Sequence, residues 1–237
     1  MRNYFTLGGA DSRDYGVYIS GEGVFNAPNR DISFIPVPGR DGDIIGMDTR
    51  LTNGILTYKN AFIYADFSNQ IAAFRAMLLE TNGYRQLIDT YNPTIYRMAA
   101  YAGGLDVAPT RKLDAGTFDI TFAVKPQRYL LSGNTVVAFT ASGNINNHTL
   151  FPSKPLIRVY GNGVLGVGAV SVTIINNSGK YIDIDSESGI ASRDTENMNS
   201  SITLSGFNFP TLKSGNTGIS LGTGITRVEI TPRWWSV

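Results

Sequence analysis

Most of the chain alternates apolar and polar positions with period two. In "TFDITFAV", residues 117–124, Phe118, Ile120, Phe122 and Val124 interleave with Thr117, Asp119 and Thr121, the pattern of a half-buried strand. "PLIRVY", "AVSVTII", "KYIDID" and "ITRVEI" show the same β-branched and aromatic enrichment, with Gly- and Asn-rich turns between them. One stretch breaks the pattern. In "ADFSNQIAAFRAMLLETNG", residues 65–83, Phe67, Ile71, Phe74 and Leu78 recur at helical spacing and make one apolar face. Asp66 or Ser68 is expected to cap the start of that helix, and Asn82-Gly83 to end it in a left-handed conformation.

The pattern is not uniform along the chain. Residues 1–132 hold 13 Lys/Arg and 13 Asp/Glu, and the remaining 105 residues hold 7 and 6. Ten of the 12 Tyr and the only clear helix precede "LLSGN" at residues 130–134. The expected organisation is mainly β: a β-rich α+β domain with one helix over residues 1–131, then a β-sandwich over 132–237.

Composition narrows the chemistry. The chain has 237 residues, 42% of them hydrophobic, and no Cys, which excludes disulfides, thiolate catalysis and zinc-thiolate sites. A formal charge of +1 gives no electrostatic reason to expect nucleic acid or an anionic membrane as the main partner. No apolar run reaches the ~18 residues of a membrane span, and "MRNYFTLGGADSRDYG" has no signal-like apolar core, so assembly in a cytoplasm is expected. Charged residues make up 16%, against about 25% in an ordinary domain. A surface this poor in charge suits contact with other subunits.

Several stretches invite a chemical reading. "GNGVLG", residues 161–166, satisfies G-x-G-x-x-G and has Asp183 and Asp185 roughly 20 residues on. A pyrophosphate site needs a helix after that turn, but "VGAVSVTIINN" follows as a strand, so a Gly-rich hairpin is expected. "IDIDSESG", residues 182–189, aligns Asp183, Asp185 and Glu187 on one face, as a Ca²⁺ site or acid/base pair would. The turn Gly comes too late for an EF-hand, and a solvated face running into a turn is expected instead. The single His148, in "NINNHTL", reads as an exposed loop residue; no G-x-S-x-G elbow accompanies it. "NHT", "NNS" and "NSS" match the short glycosylation pattern. Trp234 and Trp235 could stack on a sugar or anchor the chain end, and anchoring is the preferred reading. "VPGRDGDII", residues 37–45, lies between strand-like runs; Asp41-Gly42 and Pro38-Gly39 are turn signals, and too few oxygen ligands are present for a metal. No catalytic, cofactor or metal residue is expected.

Taken in order, these stretches resemble a known family. "DSRDYGVYISGEGVFNAPNRDISFIPVPGRDGDII", then "AFIYADFSNQIAAFRAMLL", "GYRQLIDTYNPTIYRMAAY" and "FDITFAVKPQRYLLSG" are similar to distal tail proteins of bacteriophages with long, non-contractile tails. "SKPLIRVYGNG", "YIDIDSE" and "ITRVEITPRWW" extend the resemblance through the second half. The resemblance implies a virion tail-hub protein that forms a homohexameric ring around a channel through which DNA passes without specific binding. It implies a galectin-like sandwich projecting outward, and the tail tube protein, a tail-tip or tail-associated protein and, in some phages, a receptor-binding protein as partners. It implies no catalytic residues, no cofactor and no membrane insertion. Two rivals stay open: a carbohydrate-binding host-recognition module, and a cell-wall hydrolase using Asp183 and Glu187.

Overall fold

A computed structural model of the chain describes residues 2–237 except 22, 24–25, 65, 113, 176 and 178–179, with the backbone alone at 47–49. The chain divides into two compact units, one running to Arg128 and the other covering Tyr129–Ser236. As expected, the fold is mainly β with a single α-helix among the described residues.

The first unit contains β1 (Phe5–Leu7), β2 (Ala10–Asp11), β3 (Val17–Tyr18), β4 (Arg30–Ile35), β5 (Ile44–Leu51) and β6 (Gly54–Tyr64). Helix α1 (Phe67–Leu79) follows, then β7 (Arg85–Asp89), β8 (Ile95–Tyr101), β9 (Ala108–Pro109) and β10 (Ala115–Leu130), which carries the chain onward. A sheet runs in the order β2-β1-β7-β8-β10-β6-β3, with β9 beside β10. The alternation in 117–124 holds: Phe118, Ile120, Phe122 and Val124 are all buried. A bulge between Phe118 and Ile120 shifts the register against β6, and the Asp119 carboxylate takes the backbone N–H of Asn60 at 2.9 Å.

Helix α1 lays Ile71, Phe74, Met77 and Leu78 on this sheet. Phe5 stacks on Tyr58 at 5.6 Å and meets the edges of Phe74 and Phe122, an aromatic centre worth more than its burial alone. The Tyr58 hydroxyl, buried with its ring, donates to Asp89 Oδ2 at 2.6 Å. Burial, then the Asp89 charge, pushes that hydroxyl well above its ordinary pKa, so it stays a donor.

The helix ends depart from expectation. Asp66 makes no cap bond to the backbone; its carboxylate takes the Asn69 side-chain amide instead, at 2.9 Å. Ala65 lies outside the described residues. At the other end the helix stops at Leu79, before Asn82-Gly83. The Arg85 guanidinium, arriving from β7, donates to the carbonyls of Met77 and Leu78 at 2.8 and 2.7 Å. A cation thus satisfies the orphaned last-turn carbonyls and complements the negative end of the helix dipole.

The second unit contains β11 (Val137–Phe139), β12 (Gly143–Asn147), β13 (Leu156–Gly161), β14 (Gly163–Val167), β15 (Val170–Ile174) and β16 (Tyr181–Asp185). It closes with β17 (Ile190–Arg193), β18 (Glu196–Asn197), β19 (Ile202–Leu204), β20 (Gly215–Leu221), β21 (Ile225–Thr231) and β22 (Trp235–Ser236). Its sheets run β11-β21-β13-β16-β17-β18 and β12-β20-β14-β15-β19. Ile157, Val159, Ile182, Ile184, Val228 and Ile230 of the first meet Leu165, Val167, Val172, Ile174 and Ile219 of the second in one core, as a β-sandwich requires.

Candidate docking surface

The stretch at residues 37–45 is the end of a hairpin, and the hairpin is uncovered. β4 and β5 form a separate two-stranded sheet, pairing Ile32 with Met47, Phe34 with Ile45 and Ile35 with Ile44. The connection turns at Gly39 and Gly42, whose φ angles of +77° and +80° suit glycine, and Arg40 N–H closes on the Val37 carbonyl at 3.2 Å. This is turn chemistry, as the sequence implies. Every residue of β4 is exposed, with Phe34 63% and Ile45 53% accessible. Strand alternation puts Ile32, Phe34 and Ile45 on one face and Ile35 and Ile44 on the other. An isolated two-stranded ribbon is marginal in water, and one that is apolar on both faces is built to be covered.

A second apolar feature lies on the same unit. Beside the C-terminal half of α1, a pocket of about 200 Å³ opens between Leu78, Leu79, Tyr101, Gly104 and Leu105, with Arg75 at its edge. Leu79 stands 68% exposed at the rim.

The polar stretches behave differently. The carboxylates of "IDIDSESG" are each held by their own cation. Asp183 receives Arg158 at 2.7 and 2.8 Å, Asp185 receives Arg233 at 2.7 and 3.1 Å, and Glu187 lies 3.5 Å from Lys154. Burial opposes the charge of Asp185, but Arg233 and the backbone N–H groups of Glu187 and Ser188 outweigh it and hold the carboxyl below its ordinary pKa. The expectation of a merely solvated face therefore needs correction: Asp183 and Asp185 are partly buried and ion-paired. Arg158 also lies 3.9 Å over the Tyr181 ring, so the outward side of β13 and β16 is a self-satisfied ladder. Among the described residues no cluster of three metal-ligating side chains forms.

"GNGVLG" leads into a strand, so no helix N–H groups face a phosphate. It is not a hairpin either. Gly161 ends β13 in one sheet and Gly163 starts β14 in the other, so the chain turns a corner between sheets. A Cβ on Gly161 would sit 2.1 Å from the Gly224 carbonyl oxygen, which only glycine avoids. The hairpin comes one strand later, between β14 and β15. His148 is exposed, with Nδ1 3.3 Å from Asn146 Nδ2.

Trp234 is buried in the sandwich core, while Trp235 stacks on Phe151 at 4.6 Å and donates from Nε1 to the Pro152 carbonyl at 3.0 Å. Both rings anchor the chain end. Of the glycosylation matches, Asn147 is buried and donates to the Phe151 and Leu212 carbonyls, and Asn199 Oδ1 accepts from Ala191 N–H. The third, Asn176 with Ser178, lies outside the described residues. No helix among the described residues is long and apolar enough to cross a membrane. The sequence marks the turn of this hairpin but neither the exposure of its ribbon nor the pocket. The only available signal was that residues 34–35 and 44–45 put apolar side chains on both faces of one ribbon.

No family model matches the sequence, and no curated protein matches it. Solved structures do. The Dit (gp 19.1) protein of phage SPP1, described as a paradigm of the hub adsorption apparatus in phages infecting Gram-positive hosts, aligns at a TM-score of 0.71 and 14% identity. That alignment covers 97% of this chain and 98% of the SPP1 chain. Chains of the phage P2 baseplate in its activated conformation, with Ca and with Sr, align at TM-scores of 0.56 and 0.51 and identities of 11% and 12%. They cover 97% and 96% of this chain, and 97% of the other chain in each case. The chain therefore has the fold of phage hub and baseplate proteins, as its motif order suggested.

Proposed function

We propose that this chain is a structural distal tail protein of a phage. Six copies close into a ring that joins the tail tube to the tip and its host-adsorption device, and the DNA passes through without specific contacts. The observation that carries the reading is the end-to-end likeness of fold to a hub protein across both units. The uncovered hairpin supports assembly, because a head-to-tail ring needs two unlike patches on every subunit and this is an apolar surface the chain leaves unused. The protein acts by geometry: it ends the tube, presents docking surfaces and breaks no bond. It resides at the distal end of the virion tail, after assembly in the host cytoplasm.

Residues 1–131 are proposed as the ring domain and 132–237 as a galectin-like sandwich that projects outward. Light scattering and electron micrographs of the purified protein, alone and with tail partners, test the ring. Six-membered rings are expected, and a strict monomer under every condition overturns the reading. Expressing the two stretches separately tests the division, each being expected to unfold cooperatively.

A further inference from the structure

Resting on the ring reading above, we propose that the β4–β5 hairpin of one copy inserts Phe34 into the pocket beside α1 of a second copy, with Asp43 facing Arg75. Size, charge and topology point the same way. A dry apolar cavity of about 150 Å³ accommodates one benzene ring. The pocket beside α1, at about 200 Å³ and lined by Leu78, Leu79, Tyr101 and Leu105, is of the size to take one aromatic side chain at its open mouth. Phe34 is a large ring that its own chain leaves mostly exposed, and Ile45 beside it would extend the contact over the Leu79 rim.

Charge complements this fit. Arg75 at the pocket edge forms no ion pair among the described residues, and neither do Asp41 and Asp43 at the hairpin end. Asp43 lies two positions from Ile45, about 7 Å along an extended strand. A ring seated in the pocket by the Phe34–Ile45 pair therefore brings a carboxylate close to the guanidinium. The hairpin and the pocket are unlike surfaces on one chain, so each copy offers both. Such a contact is head-to-tail, and it repeats around a closed ring. A second copy is thus the occupant that the chain itself supplies.

The absence of Cys makes the test clean. Asp41→Cys in one population and Leu79→Cys in another are mixed in the full-length protein and treated with a short bis-maleimide. Linked dimers are expected in the mixture at roughly tenfold the yield of either variant alone, because docking raises the local thiol concentration. A Cβ at Gly104 meets nothing within 4 Å, so Gly104→Leu narrows the pocket without disturbing the fold, and it should weaken self-association roughly tenfold or more. Asp43→Arg and Arg75→Asp should each weaken it and together restore it. Oligomers that form without the cross-link, and that Gly104→Leu leaves intact, overturn the pocket pairing while the ring reading stands. A protein that is monomeric and unlinked at every concentration overturns both.

Discussion

The β4–β5 hairpin and the β13–β16 pair are built from similar residues and treat them in opposite ways. In β13 and β16 the alternation is strict. Ile157, Val159, Ile182 and Ile184 face the core, while Arg158, Asp183 and Tyr181 satisfy one another on the outer side. In β4 and β5 both faces of the ribbon carry apolar side chains near the turn, and nothing among the described residues covers them. One pair finishes its energetics inside the molecule; the other leaves them open.

The largest expected effect lies beneath that surface. Phe74 is fully buried on α1 among Phe5, Tyr15 and Phe118. Phe74→Asp puts an unpaired carboxylate there, at a cost of several kcal/mol, by far more than the loss of any exposed residue. The first unit should melt early in calorimetry, rings should not form, and complementation of a gene deletion should give no normal tails. Infectious tails with this variant would sink the assignment of assembly to the first unit.

Next comes the hairpin itself. Phe34→Ser with Ile45→Ser should shift the melting of the monomer by no more than about 0.5 kcal/mol, since neither side chain contributes to the core. Self-association measured by sedimentation should fall sharply. The outcome that breaks the comparison is a destabilised monomer with undiminished assembly, because the hairpin would then be part of the fold.

How much of this could be read in advance depends on what each feature is made of. The strand at 117–124 and the apolar stripe of α1 were legible, since burial there follows local periodicity. The helix ends were not: the C-terminal cap is Arg85, which arrives from β7, and no rule about neighbouring residues anticipates a partner placed by strand pairing. The corner at Gly161–Gly163 reads as a hairpin in the sequence because alternation marks strands without saying which sheet each joins. The hairpin at 37–45 is legible as a turn between strands, but its exposure is not, for the converse reason. Apolar alternation predicts that a surface is covered, and does not say whether the cover is the same chain. The pocket at Arg75, Leu79 and Tyr101 depends on residues distant in sequence and had no local signal.

A smaller effect comes from acid, and it distinguishes the second unit's ion pairs from its core. Asp185 has a folded-state pKa below its unfolded value, so its contribution is complete above the ordinary carboxylate pKa of about 4. The contribution is lost as pH falls through the lower, folded-state value, because the unfolded chain binds the proton more readily. Melting curves of the native protein and of Asp185→Asn should therefore differ most at neutral pH and converge below about pH 4. A gap of constant size across that range would mean that the Arg233 pair does not set the linkage.

The smallest effect separates two carboxylates of one motif. Asp183 accepts two bonds from a single guanidinium that also lies over Tyr181, a geometry in which an ion pair contributes measurably. Glu187 meets Lys154 at 3.5 Å with both side chains largely in solvent. Asp183→Asn should cost about 1 kcal/mol in the unfolding of the second unit, and Glu187→Gln about 0–0.5 kcal/mol. Neither loss threatens a fold stable by several kcal/mol, so the double variant should still complement a deletion and give normal tails. This pair also tests the chemistry that the sequence left open. A hydrolase using these two groups would lose wall degradation while its tails stayed intact, and a sugar site on this face would lose saccharide binding in the same variant. Self-contained ion pairs predict neither loss, only a modest drop in melting temperature that belongs almost entirely to Asp183.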